Sequence, residues 1–183
     1  MEITITGPRS VGKSTISKVL AKKLKLAYIS SDEIGEKALK KEGGLDKAIK
    51  SGVIHNFIEK GAYNLIREVY QSKNFVFDLA GGAVSSTKHP EASEKVRTVA
   101  KSNSVVIGLL PCEDEEESIE FLFEREKNRA HFKDNDKIQL REDVERKYRK
   151  LKDILRDIAD KILYVKNKEV NEVVEEIISE VKE

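Results

Sequence analysis

The chain has 183 residues, 39% hydrophobic and 37% charged, with three prolines and no tryptophan; that length and mix suit one globular unit around one core and exclude a low-complexity polypeptide. Lysine plus arginine number 34 against 33 aspartate plus glutamate, so no global positive field exists to hold a long polyanion, and nucleic acid is not the expected partner. The apolar runs fall far short of a membrane span, no signal-peptide pattern precedes the first strand pattern, and Cys112 is the single cysteine, which together point to a cytoplasmic protein without a membrane partner or an internal disulfide.

In chain order, a short strand pattern at Ile3 to Ile5 runs straight into GPRSVGKST at positions 7–15. This is the Walker A spacing, Gly-x4-Gly-Lys-Ser, and the amphipathic run Ile16, Val19, Leu20, Leu24 supplies the helix that must follow it. Glycines let backbone N–H groups approach phosphate oxygens, and the helix N-terminus adds partial positive charge. The candidate nucleotide-binding residues are Gly7, Pro8, Arg9, Ser10, Val11, Gly12, Lys13, Ser14 and Thr15. Lys13 is expected to span the β- and γ-phosphates. Ser14 offers a hydroxyl to Mg²⁺, a cation that keeps several waters and accepts few protein ligands. Thr15 either meets the α-phosphate or is an ordinary first-turn residue.

A second strand pattern at Ala27 to Ile29 leads into Asp32. In an open parallel sheet the ligand crevice lies beyond the carboxyl ends of the strands. A carboxylate there can accept the proton of an attacking hydroxyl, although Asp32, Ser30 or Ser31 can equally cap the next helix. Residues 32–71 carry helical apolar spacing at Ile54, Phe57, Ile58, Leu65, Ile66 and Val69, punctuated by Gly43-Gly44, Gly52 and Gly61. They read as a helical substrate-binding insertion.

The third strand, Phe75 to Leu79, ends in FDLAGG, placing Asp78 where a Walker B carboxylate supports Mg²⁺, or where a turn begins. A fourth strand follows at Val105 to Leu110. Residues 125–152 are dense in charge and poor in core formers before Leu151, which reads as a flap, the lid at 125–140, followed by a surface helix. Arg125 and Arg129, one helical turn apart, are the candidates to meet charge on a transferred phosphoryl group. His55, His89 and His131 are isolated and lack metal-ligand spacing, so no zinc site is expected. A fifth strand at Ile162 to Val165 and a helix through Val170, Val173, Val174, Ile177, Ile178 and Val181 close the chain. Strands alternating with helices imply a three-layer α/β unit with a parallel sheet over residues 1–183.

These stretches together resemble P-loop small-molecule kinases of the shikimate kinase type, within the group that includes nucleoside and nucleotide monophosphate kinases. GPRSVGKST with LAKKL is similar to that family's phosphate loop and first helix, YISSDEIGE to its Asp-x-Asp strand end, and FDLAGGAV to its Gly-Gly-Gly acceptor loop. The resemblance implies a five-stranded sheet in the order 2-3-1-4-5. It also implies contact of Asp32, Gly81 and Gly82 with the acceptor, Arg129 as the lid arginine, and a loop at 166–169 near the adenine. Where the family anchors a substrate carboxylate with arginine, this chain has Asn64, with Arg67 three residues later. The second family arginine has no counterpart around KLKDILRD, and losing both two-pronged groups removes most carboxylate recognition. Ser30 replaces the family's first acid, and Asp78 stands where the family has a small residue.

The expected activity is ATP- and Mg²⁺-dependent transfer of a γ-phosphate to a hydroxyl of a small acceptor, by a monomer or homodimer. The alternatives are a nucleoside or nucleotide monophosphate kinase, and an ATPase or GTPase switch module.

Overall fold

The computed structural model describes residues 1–129 and 136–182. The part of the 125–140 segment at 130–135, including His131, therefore lies outside the described residues.

Five parallel strands form one sheet in the order β2-β3-β1-β4-β5, the order the resemblance implies. They are β1 (Glu2–Gly7), β2 (Ala27–Ser30), β3 (Phe75–Ala80), β4 (Val105–Leu110) and β5 (Lys161–Tyr164). The three inner strands are six residues each and almost wholly buried, as EITITG, FVFDLA and VVIGLL suggest. Strands covered on both faces read as continuous apolar runs, whereas the edge strands β2 and β5 are four residues long and partly exposed.

Two helical layers cover the sheet. On one face α1 (Lys13–Leu24) packs on α10 (Val170–Glu180). On the other, Tyr70 of α5 (Tyr63–Gln71) sets its ring edge-on against Phe75 and Phe77 and meets the Thr4 hydroxyl at 3.1 Å. α7 (Pro90–Asn103) and α9 (Lys137–Ile158) share that layer, with Leu155 packed over Gly108 of β4. The remaining helices are α2 (Ser31–Ala38), α3 (Leu45–Ser51), α4 (Val53–Phe57), α6 (Gly81–Ser85) and α8 (Glu115–Lys127), with a 3₁₀ turn at Lys40–Glu42 and a π turn at Ile58–Ala62.

Two expectations are corrected. α9 is not a surface helix, because Leu140, Val144, Tyr148, Leu151, Leu155 and Ile158 are all buried. One apolar residue per turn, flanked by long charged side chains, is a narrow stripe whose average polarity conceals a core-facing edge. Residues 32–71 are largely helical, but α5 belongs to the main core, where Ile66, Val69 and Tyr70 are buried.

Strand register then sets the site. Ile5 pairs with Asp78 and Gly7 with Ala80, while Ser30 pairs with Asp78 from the other side. The carboxyl ends of β1, β2 and β3 are therefore level, and the Ser31 hydroxyl accepts the Ala80 N–H at 2.9 Å, bracing the two loops.

Candidate active site

The phosphate loop leaves β1 at Gly7 and enters α1 through Gly12, whose φ of 110° is a conformation that favours glycine. Ser10 also holds a positive φ, 68°, which costs a residue with a Cβ about 1 kcal/mol or more and is typical of loops shaped for a ligand. Positive-φ residues in a loop that runs into a helix N-terminus, as here, are the backbone setting in which successive N–H groups can be turned toward an anion. Lys13 Nζ donates across it to the Pro8 carbonyl at 3.0 Å. Ser14 and Thr15 are exposed at the first turn of α1.

Lys13, Asp32, Asp78 and Arg129 act on one another electrostatically. Burial pushes the Lys13 pKa down, Asp78 and Asp32 oppose that, and Arg129 and Arg9 add to it. Burial in the cleft pushes Asp32 up from the usual carboxylate range. Lys13 pulls it back, Asp78 raises it, Arg129 lowers it, and Asp46 of α3 raises it again. Asp32 as a whole is exposed, so water screens each of these effects. The Ser30 hydroxyl accepts the Glu33 N–H at 3.4 Å and caps α2, leaving the Asp32 side chain without that duty.

Asp78 is 5% exposed, and the Tyr28 hydroxyl donates to its Oδ2 at 3.2 Å. Burial, then the Asp78 charge, push the Tyr28 phenol up to about 12, so it is a protonated donor at neutral pH. Among the described residues no three His, Cys, Asp or Glu side chains form a metal cage. A Mg²⁺ ion held by one hydroxyl, one carboxylate, waters and phosphate oxygens needs none, and Ser14 with Asp78 fits that donor set. Of the two glycines that follow β3, Gly81 is crowded: a Cβ there would lie 2.5 Å from the Gly7 carbonyl oxygen and 2.7 Å from Leu151. Gly82 faces open space.

Other candidates are placed differently. Arg125 donates to the Ser10 carbonyl at 3.1 Å and stacks its guanidinium 4.1 Å from the Phe121 ring centroid, so it supports the phosphate loop from α8. Asn64 and Arg67 lie on the exposed side of α5, which packs on α7. Loop residue Lys166 donates its N–H to the Pro111 carbonyl and its ammonium to Glu117, tying the 166–169 loop to the one after β4. His55 and His89, isolated in sequence, meet through Nδ1 and Nε2 at 2.8 Å, which corrects their reading as separate residues.

Three residues that pattern reading missed are Tyr28, Asp46 and Glu126. The signal for Tyr28 is only that it lies two positions before Ser30, on the strand face shared with Asp78. Glu126 of α8 is 3% exposed and pairs with Arg9 of the phosphate loop. Removing the cation strands a buried carboxylate, so Arg9→Met is expected to destabilise the fold by about 1–3 kcal/mol, while Arg9→Met with Glu126→Leu recovers much of the loss. Urea unfolding of the two variants and the parent measures both.

The family model described as shikimate kinase matches residues 9–182. A shikimate kinase of Francisella tularensis subsp. novicida is 38% identical over 92 residues, 45% of this chain and 46% of that protein, so the chain spans about half the length of the curated relatives it matches. A cytidylate kinase of Sulfurisphaera tokodaii is 49% identical over 43 residues, 24% of each chain. Among solved structures, shikimate kinase of Bacteroides thetaiotaomicron superposes with a TM-score of 0.78 at 18% identity, covering 99% of this chain and 98% of that one, which shows the shared fold. With the family model spanning nearly the whole sequence, the chain belongs to the shikimate kinase family.

Proposed function

We propose that the chain is an ATP- and Mg²⁺-dependent phosphotransferase that moves the γ-phosphate to a hydroxyl of a small acceptor, as its family does. The supporting observation is that Lys13, at the start of α1, Asp32, Asp78 and Arg129 lie near enough to act on one another's charge beside the loop between β1 and α1. In this reading Gly7 to Thr15 hold the nucleotide, Lys13 bridges the β- and γ-phosphates, and Arg129 meets charge building on the transferred group. Arg125 acts with it by holding the loop. Ser14 and Asp78 hold the metal, which when bound neutralises phosphate charge during transfer. The acceptor oxygen bonds to the γ-phosphorus, its proton passes to Asp32, and the bond to the β–γ bridging oxygen breaks, releasing ADP. Gly82, with Gly81 packed behind it against Gly7, borders the acceptor, while Asn64 and Arg67 lie on the insertion side. ATP supply agrees with a cytoplasmic location, and a monomer or homodimer suffices.

Asp32→Asn is expected to lower transfer about 10²–10⁴-fold. Its effect on stability has a definite sign. A carboxyl whose pKa is raised in the folded state stabilises the fold below the ordinary carboxylate pKa and loses that contribution as pH rises through the raised value. Asparagine stays neutral, so at pH 8 the variant is expected to melt at or above the parent temperature. Loss of transfer with a lowered melting temperature would instead assign Asp32 to the fold.

A second reading, a nucleotide monophosphate kinase, is favoured by Asp78 and by the local similarity to the Sulfurisphaera tokodaii cytidylate kinase. A thermal-shift screen with Mg²⁺ and a non-hydrolysable ATP analogue separates the two. Stabilisation by shikimate or a related polyol supports the first, and stabilisation by a nucleoside monophosphate supports the second.

A further inference from the structure

We infer that Tyr28 is a positioning residue for the Asp78 carboxylate: it holds Oδ2 and leaves Oδ1 as the oxygen that serves the metal's ligand shell. The inference rests on the proposed metal role of Asp78.

The geometry is fixed by the sheet. Tyr28 pairs with Val76 and Ser30 pairs with Asp78, so on adjacent parallel strands Tyr28 is the diagonal neighbour of Asp78 on one face. Its hydroxyl reaches the Asp78 Oδ2 at 3.2 Å. Its ring lies beneath the Lys18 ammonium of α1, 5.2 Å from the centroid, which holds the aromatic plane between strand and helix. A phenylalanine would fill the same space with the same strand preference. The hydroxyl therefore matters for the group it meets, and that group is a carboxylate 5% exposed at the strand end facing Lys13. A carboxylate free to rotate offers a metal either oxygen in many orientations; one held at Oδ2 offers a single oxygen in one direction. The action of Tyr28 passes through Asp78, which makes it a positioning residue.

The test uses the full chain with Tyr28→Phe, Asp78→Asn and the double variant. Mn²⁺ binding to each protein in the presence of ADP is measured by electron paramagnetic resonance, and metal-free ADP binding is measured with a fluorescent analogue in chelator. The expected result is that Tyr28→Phe weakens Mn²⁺ binding about tenfold, leaves metal-free ADP binding unchanged, and adds nothing to the loss caused by Asp78→Asn. Unchanged Mn²⁺ binding in Tyr28→Phe beside weakened binding in Asp78→Asn overturns the inference and leaves the metal reading standing. Unchanged Mn²⁺ binding in Asp78→Asn overturns the metal reading, and this inference with it. A parallel loss of metal-free ADP binding in Tyr28→Phe assigns the tyrosine to the fold and also overturns it.

Discussion

Lys13→Ala is expected to lower phosphoryl transfer by about a thousandfold while the chain stays folded. The loss follows from removing an ammonium held at the loop, where Lys13 Nζ meets the Pro8 carbonyl at 3.0 Å. Charge on the leaving and transferred groups would then be met without this ammonium, by the remaining loop groups, Arg129 and the metal of the proposed reading. Stability moves the other way. Burial pushes the Lys13 pKa down, so the folded state binds this proton less tightly than the unfolded chain. Below the lowered pKa the ammonium carries a burial cost, and alanine removes it. A melting temperature at or above that of the parent, with transfer lost in a coupled ADP-release assay, is the expected pair of results. Undiminished ADP release by Lys13→Ala would remove the phosphate loop from the mechanism.

Gly7→Ala is expected to destabilise the fold by about 3 kcal/mol or more, a fall in melting temperature of about 6–12 °C, and to abolish nucleotide binding. A Cβ at Gly7 would lie 2.4 Å from the Leu109 carbonyl oxygen, and backbone atoms in a central strand cannot move aside as a flexible side chain can. One at Gly81 would lie 2.5 Å from the Gly7 carbonyl oxygen. The start of the phosphate loop and the start of α6 therefore touch backbone to backbone at the level ends of β1, β3 and β4. Gly82→Ala is the internal control, since nothing lies within 4 Å of its added carbon. Calorimetry of the three alanine variants is expected to group Gly7 with Gly81 and to leave Gly82 near the parent; equal melting temperatures for all three would show that the close approach carries no weight.

The two glycines of FDLAGGAV look alike in the sequence. Only packing separates them, with Gly81 buried against another loop and Gly82 open. Asp32, Ser30 and Ser31 are equal candidates for the cap of α2 in the sequence, and the structure gives the cap to Ser30 while Ser31 binds Ala80. Of the 125–140 segment, residues 125–129 and 136–140 are described; in the first stretch Arg125 is held by the Ser10 carbonyl and Arg129 acts on Lys13 and Asp32.

What the chain's order of residues determined by itself is local. The phosphate loop is nine adjacent residues whose spacing carries its chemistry, and the alternation of apolar strands with amphipathic helices is periodic, so both are legible without partners. The tertiary structure decided what depends on strand register and helix docking. Tyr28 meets Asp78 across 50 residues, and Arg9 meets Glu126 across 117. Tyr148 and Leu140 turn a charged helix into a core element. Such contacts arise because a parallel sheet brings distant segments level, and a shift of one residue in register would carry each side chain to the opposite face.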